Sequence, residues 1–348
     1  ILASMKIGKI DETAFRSLIK GKFGRRDPSV IVPPMTGVDA GVIDLGGGRV
    51  LVVAEDPIFT MPRLPLETFG RFTVHIGASD VAVMGVRPRY MTYSLLLPPD
   101  TPHDDIRRIV HSIHEAARGL GIAIVGGHTG FYPGFTAPTI GGITVFAVGR
   151  KKDLVTPAGA RPGDEVILTK GPAIETAALL AALREEELRA KYPAALVDKA
   201  KALDKAITVV DDALAAAAAG GVTAMHDATE GGVMGGLFEI ASASGVGMEV
   251  DESLFIYPDE VRMVCEAFGL DPVRAIAEGS LLITVRPGRS AAVIGRLKRK
   301  RIAASVIGRV LRDRRKRTMR RSDGRTEELK VPEQDPFWPA FFEGLDRA

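Results

Sequence analysis

The sequence predicts an α/β (α+β) protein of two domains, and three observations carry that prediction. The chain has 348 residues, beyond the size at which one hydrophobic core usually stops growing. Short apolar runs alternate with stretches of helical periodicity, and no period of about 20–50 residues recurs to signal a solenoid. Between residues 149 and 163, Lys151, Lys152, Pro157, Gly159, Pro162 and Gly163 crowd together and break the composition. Three parts are expected: an N-terminal extension over 1–36 (1–4 reading as a tag remnant), an N-terminal domain over 37–150, and a C-terminal domain over 151–348 with a basic hairpin and a tail.

Each element has its own signal. Residues 50–54 form an apolar run behind Gly46-Gly47-Gly48, the pattern of a buried strand after a turn. From 104 to 120, Ile106, Ile109, Val110, Ile113, Ala116, Ala117 and Leu120 recur at helical spacing, and Gly121 stops the helix. Residues 122–125 read as a strand entering a glycine turn, and 140–148 as another strand. In the second half, 165–168 is a strand, 174–189 a helix, and 202–219 a helix ended by Gly220-Gly221. A helix over 233–244 and strands over 281–285 and 303–310 follow.

Composition removes several classes of function. With 46% hydrophobic and 26% charged residues the chain is an ordinary globular one and not a disordered one. Its longest apolar runs, such as 213–219, fall far short of the roughly 20 residues that span a bilayer. No secretory pattern is readable, so a cytoplasmic protein without membrane contact is expected. Cys265 is the sole cysteine, which excludes an internal disulfide and a Cys-rich metal site; its apolar helical setting predicts a buried neutral thiol. His111 and His114 have metal-ligand spacing, but their angular position predicts a solvated helix face. Thirteen Lys or Arg stand between 296 and 321 against Asp313 alone, leaving the rest of the chain acidic. Without interleaved aromatics this stretch reads as a solvated edge hairpin rather than a nucleic-acid surface.

The chemistry lies elsewhere. The chain lacks a G-x-x-x-x-G-K-[ST] loop, a strand-to-helix G-x-G-x-x-G and a G-x-S-x-G elbow. It does hold acids that read as strand-end and loop residues: Asp39 in Thr36-Gly37-Val38-Asp39-Ala40, Asp56 closing the strand from Leu51, and Asp80 in Gly77-Ala78-Ser79-Asp80-Val81. Taken singly each acid reads as a cap or turn residue; converging carboxylates are what a hard divalent cation on phosphates requires. Gly126-Gly127-His128-Thr129-Gly130 would let a ligand approach the backbone closely. His226-Asp227-Ala228-Thr229-Glu230-Gly231-Gly232 precedes a helix, whose first amides suit an anion.

In their order along the chain these segments resemble the PurM-like ATP-binding superfamily. Gly77 to Pro88 is similar to its N-x-SD-x-A-x-MGA-x-P signature, Val38-Asp39-Ala40-Gly41-Val42 to its D-D-A-A-V metal loop, and Val125-Gly126-Gly127-His128-Thr129 to its GG-[DEH]-T/S loop. Asp164 to Gly171 resembles its second-domain strand. His226 to Val233, with Glu260-Val261, Gly269-Leu270-Asp271-Pro272 and Glu278-Gly279, resembles the hydrogenase-maturation, HypE-like branch.

The resemblance implies a two-domain fold and a homodimer formed through N-terminal sheets, taken here to end near residues 50–54. It implies ATP with Mg²⁺ on Asp39, Asp56 and Asp80, and catalytic roles for Asp80, Asp227 and His128. Nucleotide contacts are implied at Gly126, Gly127, His128, Thr129, Lys170, Gly231 and Gly232. The implied activity is phosphoryl transfer to a small-molecule substrate, with a maturation partner protein. Its rivals are an ATP-binding scaffold without turnover, or a kinase like thiamine-monophosphate kinase or selenophosphate synthetase. Three departures stand out, the first being His128 in the GG loop where several branches have an acid. The metal loop has one acid where many members have two, and the tail 342–348 carries no cysteine, where that branch keeps its carbamoyl acceptor.

Overall fold

The computed structural model describes residues 7–10 and 12–346; the tag-like residues 1–4 lie outside them. The first half opens with α1 (Glu12–Ala14), which runs into a π-helical turn at Phe15–Ile19. It continues with β1 (Val30–Val32), β2 (Gly41–Gly46), β3 (Arg49–Phe59), α2 (Leu66–Val83), β4 (Tyr90–Leu97), α3 (His103–Leu120), β5 (Ala123–Phe131) and β6 (Thr139–Arg150). The strands make one six-stranded sheet in the order β1-β2-β3-β6-β4-β5, in which only β4 and β5 run parallel. The strand around 50–54 is therefore internal, and β5 is the edge.

The second half holds β7 (Glu165–Thr169), α4 (Ile174–Leu183), α5 (Glu185–Arg189), α6 (Ala194–Ala202), α7 (Val210–Ala219), β8 (Val222–Asp227), α8 (Gly232–Ala243) and β9 (Gly247–Asp251). After these come α9 (Asp259–Ala267), β10 (Leu281–Val285), α10 (Ser290–Arg299), β11 (Ala304–Leu311), β12 (Arg317–Arg320), β13 (Thr326–Glu328) and α11 (Phe337–Asp346). Its seven-stranded sheet runs β13-β12-β9-β11-β7-β10-β8. Among the described residues no helix is long and apolar enough to cross a membrane.

Helix α2 joins the halves. It packs on β3 and β6 of the first sheet, on α3, and on α7 and β8 of the second half. Gly77 lets it lie flush on the sheet, since a Cβ there would meet Val145 Cγ2 at 3.0 Å. The Ser79 hydroxyl donates to the His75 carbonyl (2.8 Å) and accepts from the Val209 amide (3.0 Å), tying α2 to the start of α7. A helix covered on so many sides shows no polar stripe, and periodicity does not announce it.

Several expectations are corrected here. Asp80 belongs neither to a strand end nor to a loop; it lies in α2. Asp56 sits inside β3, which continues to Phe59 past an irregularity at Pro57. The segment 126–129 is not a turn but the middle of β5, paired with β4. The helix expected over 202–219 is interrupted: α6 ends at Ala202, a 3-10 turn follows at Leu203–Ala206, and the β-branched run from Ile207 to Val209 delays α7. Helix 174–189 breaks at Arg184, whose guanidinium turns onto Glu187. The basic stretch is not a hairpin, because β9 lies between β11 and β12.

Candidate functional site

Four acids arrive at one place from both halves. Asp39 precedes β2, Asp56 lies on β3, Asp80 on the last turns of α2, and Asp227 ends β8. The loop carrying Asp39 rests on α8: Gly37 has φ +73°, and a Cβ there would stand 2.9 Å from Glu239 Cβ. His226 then bridges the halves. Its Nδ1 donates to Asp39 Oδ2 (2.7 Å) and its Nε2 to Glu239 Oε2 (2.7 Å). Asp39, His226 and Asp227 offer polar atoms that all lie within 4.8 Å of one another.

The electrostatics follow from crowding like charges in a buried space. Burial, then Asp56, Asp227 and Asp39, hold the Asp80 carboxyl well above the usual range, and Asp80 and Asp56 hydrogen-bond each other. Burial and Asp39 push Asp227 up to about 7, although His226 and Lys9 pull the other way. Burial disfavours a charged His226, yet Asp39 and Glu239 outweigh it and keep the ring an imidazolium. Glu278 is held far above its ordinary value by burial and by Asp227, and Glu175 is pushed up to about 8, chiefly by burial.

The residues present fit a hard cation. Both carboxylate oxygens of Asp227 are buried without a hydrogen-bond partner, as are Asp56 Oδ2 and Glu278 Oε1. Asp227 itself is 1% exposed. A buried acid left so costs stability unless a proton or cation meets it. The donor set of Asp39, Asp56, Asp80 and Asp227 is all oxygen, as Mg²⁺ prefers. His226 stands outside that set, because each of its ring nitrogens is engaged by a carboxylate at 2.7 Å.

The other expected residues lie apart from this cluster. His128 projects from the opposite face of the first sheet: Asp56, Ile143, Tyr93 and Gly127 are in register, and His128 alternates with them. There it is exposed and bonded to Tyr132 Oη (2.6 Å). Gly126, Gly127 and Thr129 share that exposed edge strand. Lys170 is engaged by Asp212 (3.0 Å) and the Thr208 carbonyl (2.7 Å). At the α8 start the Gly231 amide donates to Asp335 Oδ2 (2.8 Å) and the Gly232 amide to the Thr229 carbonyl (3.0 Å), so both amides already have internal partners. Cys265 is buried in α9, and burial lifts its thiol to about 12.

Four participants escaped the sequence. Glu239 sits in a helical stretch where an acid reads as solvated, and Glu278 stood in a quoted motif without a role. His226 stood in a quoted motif, but nothing local pointed it at Asp39, 187 positions away. Lys9 lay in the N-terminal extension.

Comparison with known proteins agrees with this architecture. Residues 37–150 match the family model of the AIR synthase related protein, N-terminal domain, and residues 161–320 that of its C-terminal domain. The carbamoyl dehydratase HypE of Cupriavidus necator is 31% identical over 287 residues, 80% of this chain and 78% of that protein. The HypE of Rhizobium leguminosarum bv. viciae is 30% identical over 285 residues, again 80% and 78%. The crystal structure of E. coli HypE superposes with TM-score 0.73 at 26% identity, covering 95% of this chain and all of that one (100%). A HypE in complex with ATP gives 0.68 at 24% identity, covering 95% and 97%; a HypE–HypF complex gives 0.73 at 22%, covering 92% and 99%. Two matched domains in order and a 31% identical relative over most of the chain settle the family. The chain belongs to the AIR synthase related, PurM-like proteins, in their HypE-like, hydrogenase-maturation branch.

Proposed function

We propose that this protein binds ATP with Mg²⁺ at the Asp39, Asp56, Asp80 and Asp227 cluster and activates a small-molecule substrate by phosphoryl transfer. The observation that carries the reading is Asp227: a buried carboxylate with no hydrogen-bond partner on either oxygen, whose one ion-pair contact among the described residues is His226 at 3.9 Å. A HypE of the same fold has been crystallised with ATP, which supports the nucleotide. Asp39, Asp56, Asp80 and Asp227 would hold the ion, which would neutralise the phosphates as charge moves toward the leaving diphosphate. The terminal phosphoryl group would pass to an acceptor oxygen and ADP would leave.

The chain's own groups supply position. His226 fixes the Asp39 carboxylate across the junction by its two short bonds. Burial and Asp227 hold the Glu278 carboxyl well above its ordinary range, and its Oε1 has no hydrogen-bond partner.

A homodimer belongs to the same reading. The edge strand β5 leaves Ile124, Val125 and Phe131 exposed, with Tyr90 and Val148 on the same sheet, and a second copy would cover them. His128 and Thr129 would then serve that interface. A maturation partner protein is supported by the HypE–HypF crystal complex.

Isothermal titration calorimetry with ATP tests the site. Binding is expected with Mg²⁺ and not with EDTA, and Asp227→Asn should weaken it at least tenfold, the loss expected when a charged ligand to the ion is removed. Equal ATP affinity in EDTA and in the Asn variant would overturn the metal assignment.

A further inference from the structure

Residues 7–10 of the N-terminal extension lie on the site. The Lys9 main-chain N–H donates to Glu230 Oε2 (2.7 Å), and its ammonium donates to Thr229 Oγ1 (2.9 Å). Thr229 and Glu230 form the turn between Asp227 and α8. Gly8 adopts φ +118°, and a Cβ there would fall 1.6 Å from Glu230 Oε1, so glycine is what seats the segment on this carboxylate. Glu230 Oε1 also accepts from Trp338 Nε1 (3.1 Å), so a single side chain ties the N-terminal segment and α11 to the site turn.

Charge gives this placement a purpose. Lys9 is an exposed residue, and its ammonium lies in the field of Glu239, Asp39, Asp227 and Asp80. Those acids keep it charged against the cost of burial. A triphosphate brings three or four further negative charges to a cluster that already holds four acids, and one divalent ion returns only two positive ones. Among the described residues, His226 is committed to Asp39 and Glu239, and Lys170 to Asp212. Asp227, with its orphaned oxygens, marks where the ion and phosphates would meet.

We infer that Lys9 is a nucleotide-site residue: the 7–10 segment straps across the acidic cluster and presents its ammonium to the terminal phosphate of a nucleoside triphosphate. This rests on the nucleotide reading proposed above, and the experiment separates the two. Calorimetric titration of the full chain with MgATP and with MgADP would compare the wild type with Lys9→Met, Lys9→Arg and Gly8→Val. Lys9→Met should lose about tenfold or more in MgATP affinity and much less in MgADP affinity, so the preference for the triphosphate collapses. Lys9→Arg should keep most of that preference. Gly8→Val retains the ammonium but unseats the segment, and should fail like Lys9→Met. All three should still unfold cooperatively without nucleotide, because the segment lies outside both sheets.

Wild-type binding of MgATP together with an unchanged triphosphate preference in Lys9→Met and Gly8→Val would overturn this inference and leave the nucleotide reading standing. A wild type that binds neither nucleotide would overturn both.

Discussion

The two ends of the second sheet use the same kinds of charged residue to opposite effect. At the β12 end, Arg321 holds Glu252 (2.9 Å), Asp271 (2.9 Å) and Glu327 (2.7 Å), and Arg274 pairs again with Asp271 (3.0 Å) and Glu327 (2.6 Å). Arg309 and Lys316 share Glu249 (2.6 and 2.8 Å), and Arg320 pairs with Asp251. Each of these acids is answered by a cation. At the β8 end, Asp227 faces Asp39 and Asp80, and its oxygens have no hydrogen-bond partner. The first arrangement is a scaffold that closes a sheet edge, and the second is a place for something to bind. The contrast also explains the basic stretch 296–321: several of its arginines serve internal acids, which leaves less free charge for a polyanion than the sequence count suggests.

Breaking the paired end should have the largest effect on stability. Arg321→Met leaves three carboxylates facing one another, and is expected to cost about 3 kcal/mol in urea unfolding. A loss under about 0.5 kcal/mol would mean that solvent screens the network.

A smaller effect is expected at Glu175, behind the unpaired end. Its folded pKa of about 8, raised chiefly by burial, lies above the unfolded 4.5. The wild type is thus stabilised by this group below pH 4.5 and loses that contribution as pH rises through 8. Glu175→Gln should match the wild type near pH 4 and become the more stable protein by on the order of 2 kcal/mol at pH 8, level above that. Parallel melting curves across the range would remove Glu175 from the strained set.

Asp80→Asn sharpens the contrast further. Removing a buried acid that faces Asp56, Asp227 and Asp39 rather than a cation should raise the melting temperature without metal by on the order of 2 °C at pH 8, in calorimetry, whereas removing a cation-paired one lowers it. A drop instead would show that the Asp56 hydrogen bond outweighs the crowding of like charges. The least effect belongs to the exposed Arg312 and Arg314, where alanine should stay within about 0.5 kcal/mol in the same unfolding assay.

Much of the fold was legible because its signals are local. Helix α3 shows a full apolar stripe and ends at Gly121, whose φ of +72° suits the stop. Helix α2 was missed for a physical reason: buried against a sheet and two helices, it has no polar face to set its period. With it went the setting of Asp80, taken for a loop acid. The β5 glycines read as a turn because Gly126-Gly127 normally interrupts a strand, yet register with β4 carries the pairing through them. At the site, Asp39, Asp56, Asp80 and Asp227 were found through ordered motifs. Glu239 and Lys9 were not, and Glu278 was quoted in a motif without a role, since their meaning comes only from packing between distant segments. His226 shows the limit well: its two carboxylate partners are 187 and 13 positions away.

The central claim is that the unpaired acids form a cation site, and Mn²⁺ binding without nucleotide tests it most directly. Electron paramagnetic resonance titration of the full chain reads free Mn²⁺, so it needs no substrate and no activity. The wild type should take up Mn²⁺ more tightly at pH 8 than at pH 6, as protons leave Asp227, whose pKa lies near 7. Asp227→Asn should weaken that uptake at least tenfold, while Arg321→Lys, at the paired end, should leave it unchanged. Identical Mn²⁺ uptake by the wild type and Asp227→Asn at pH 8 would contradict the claim.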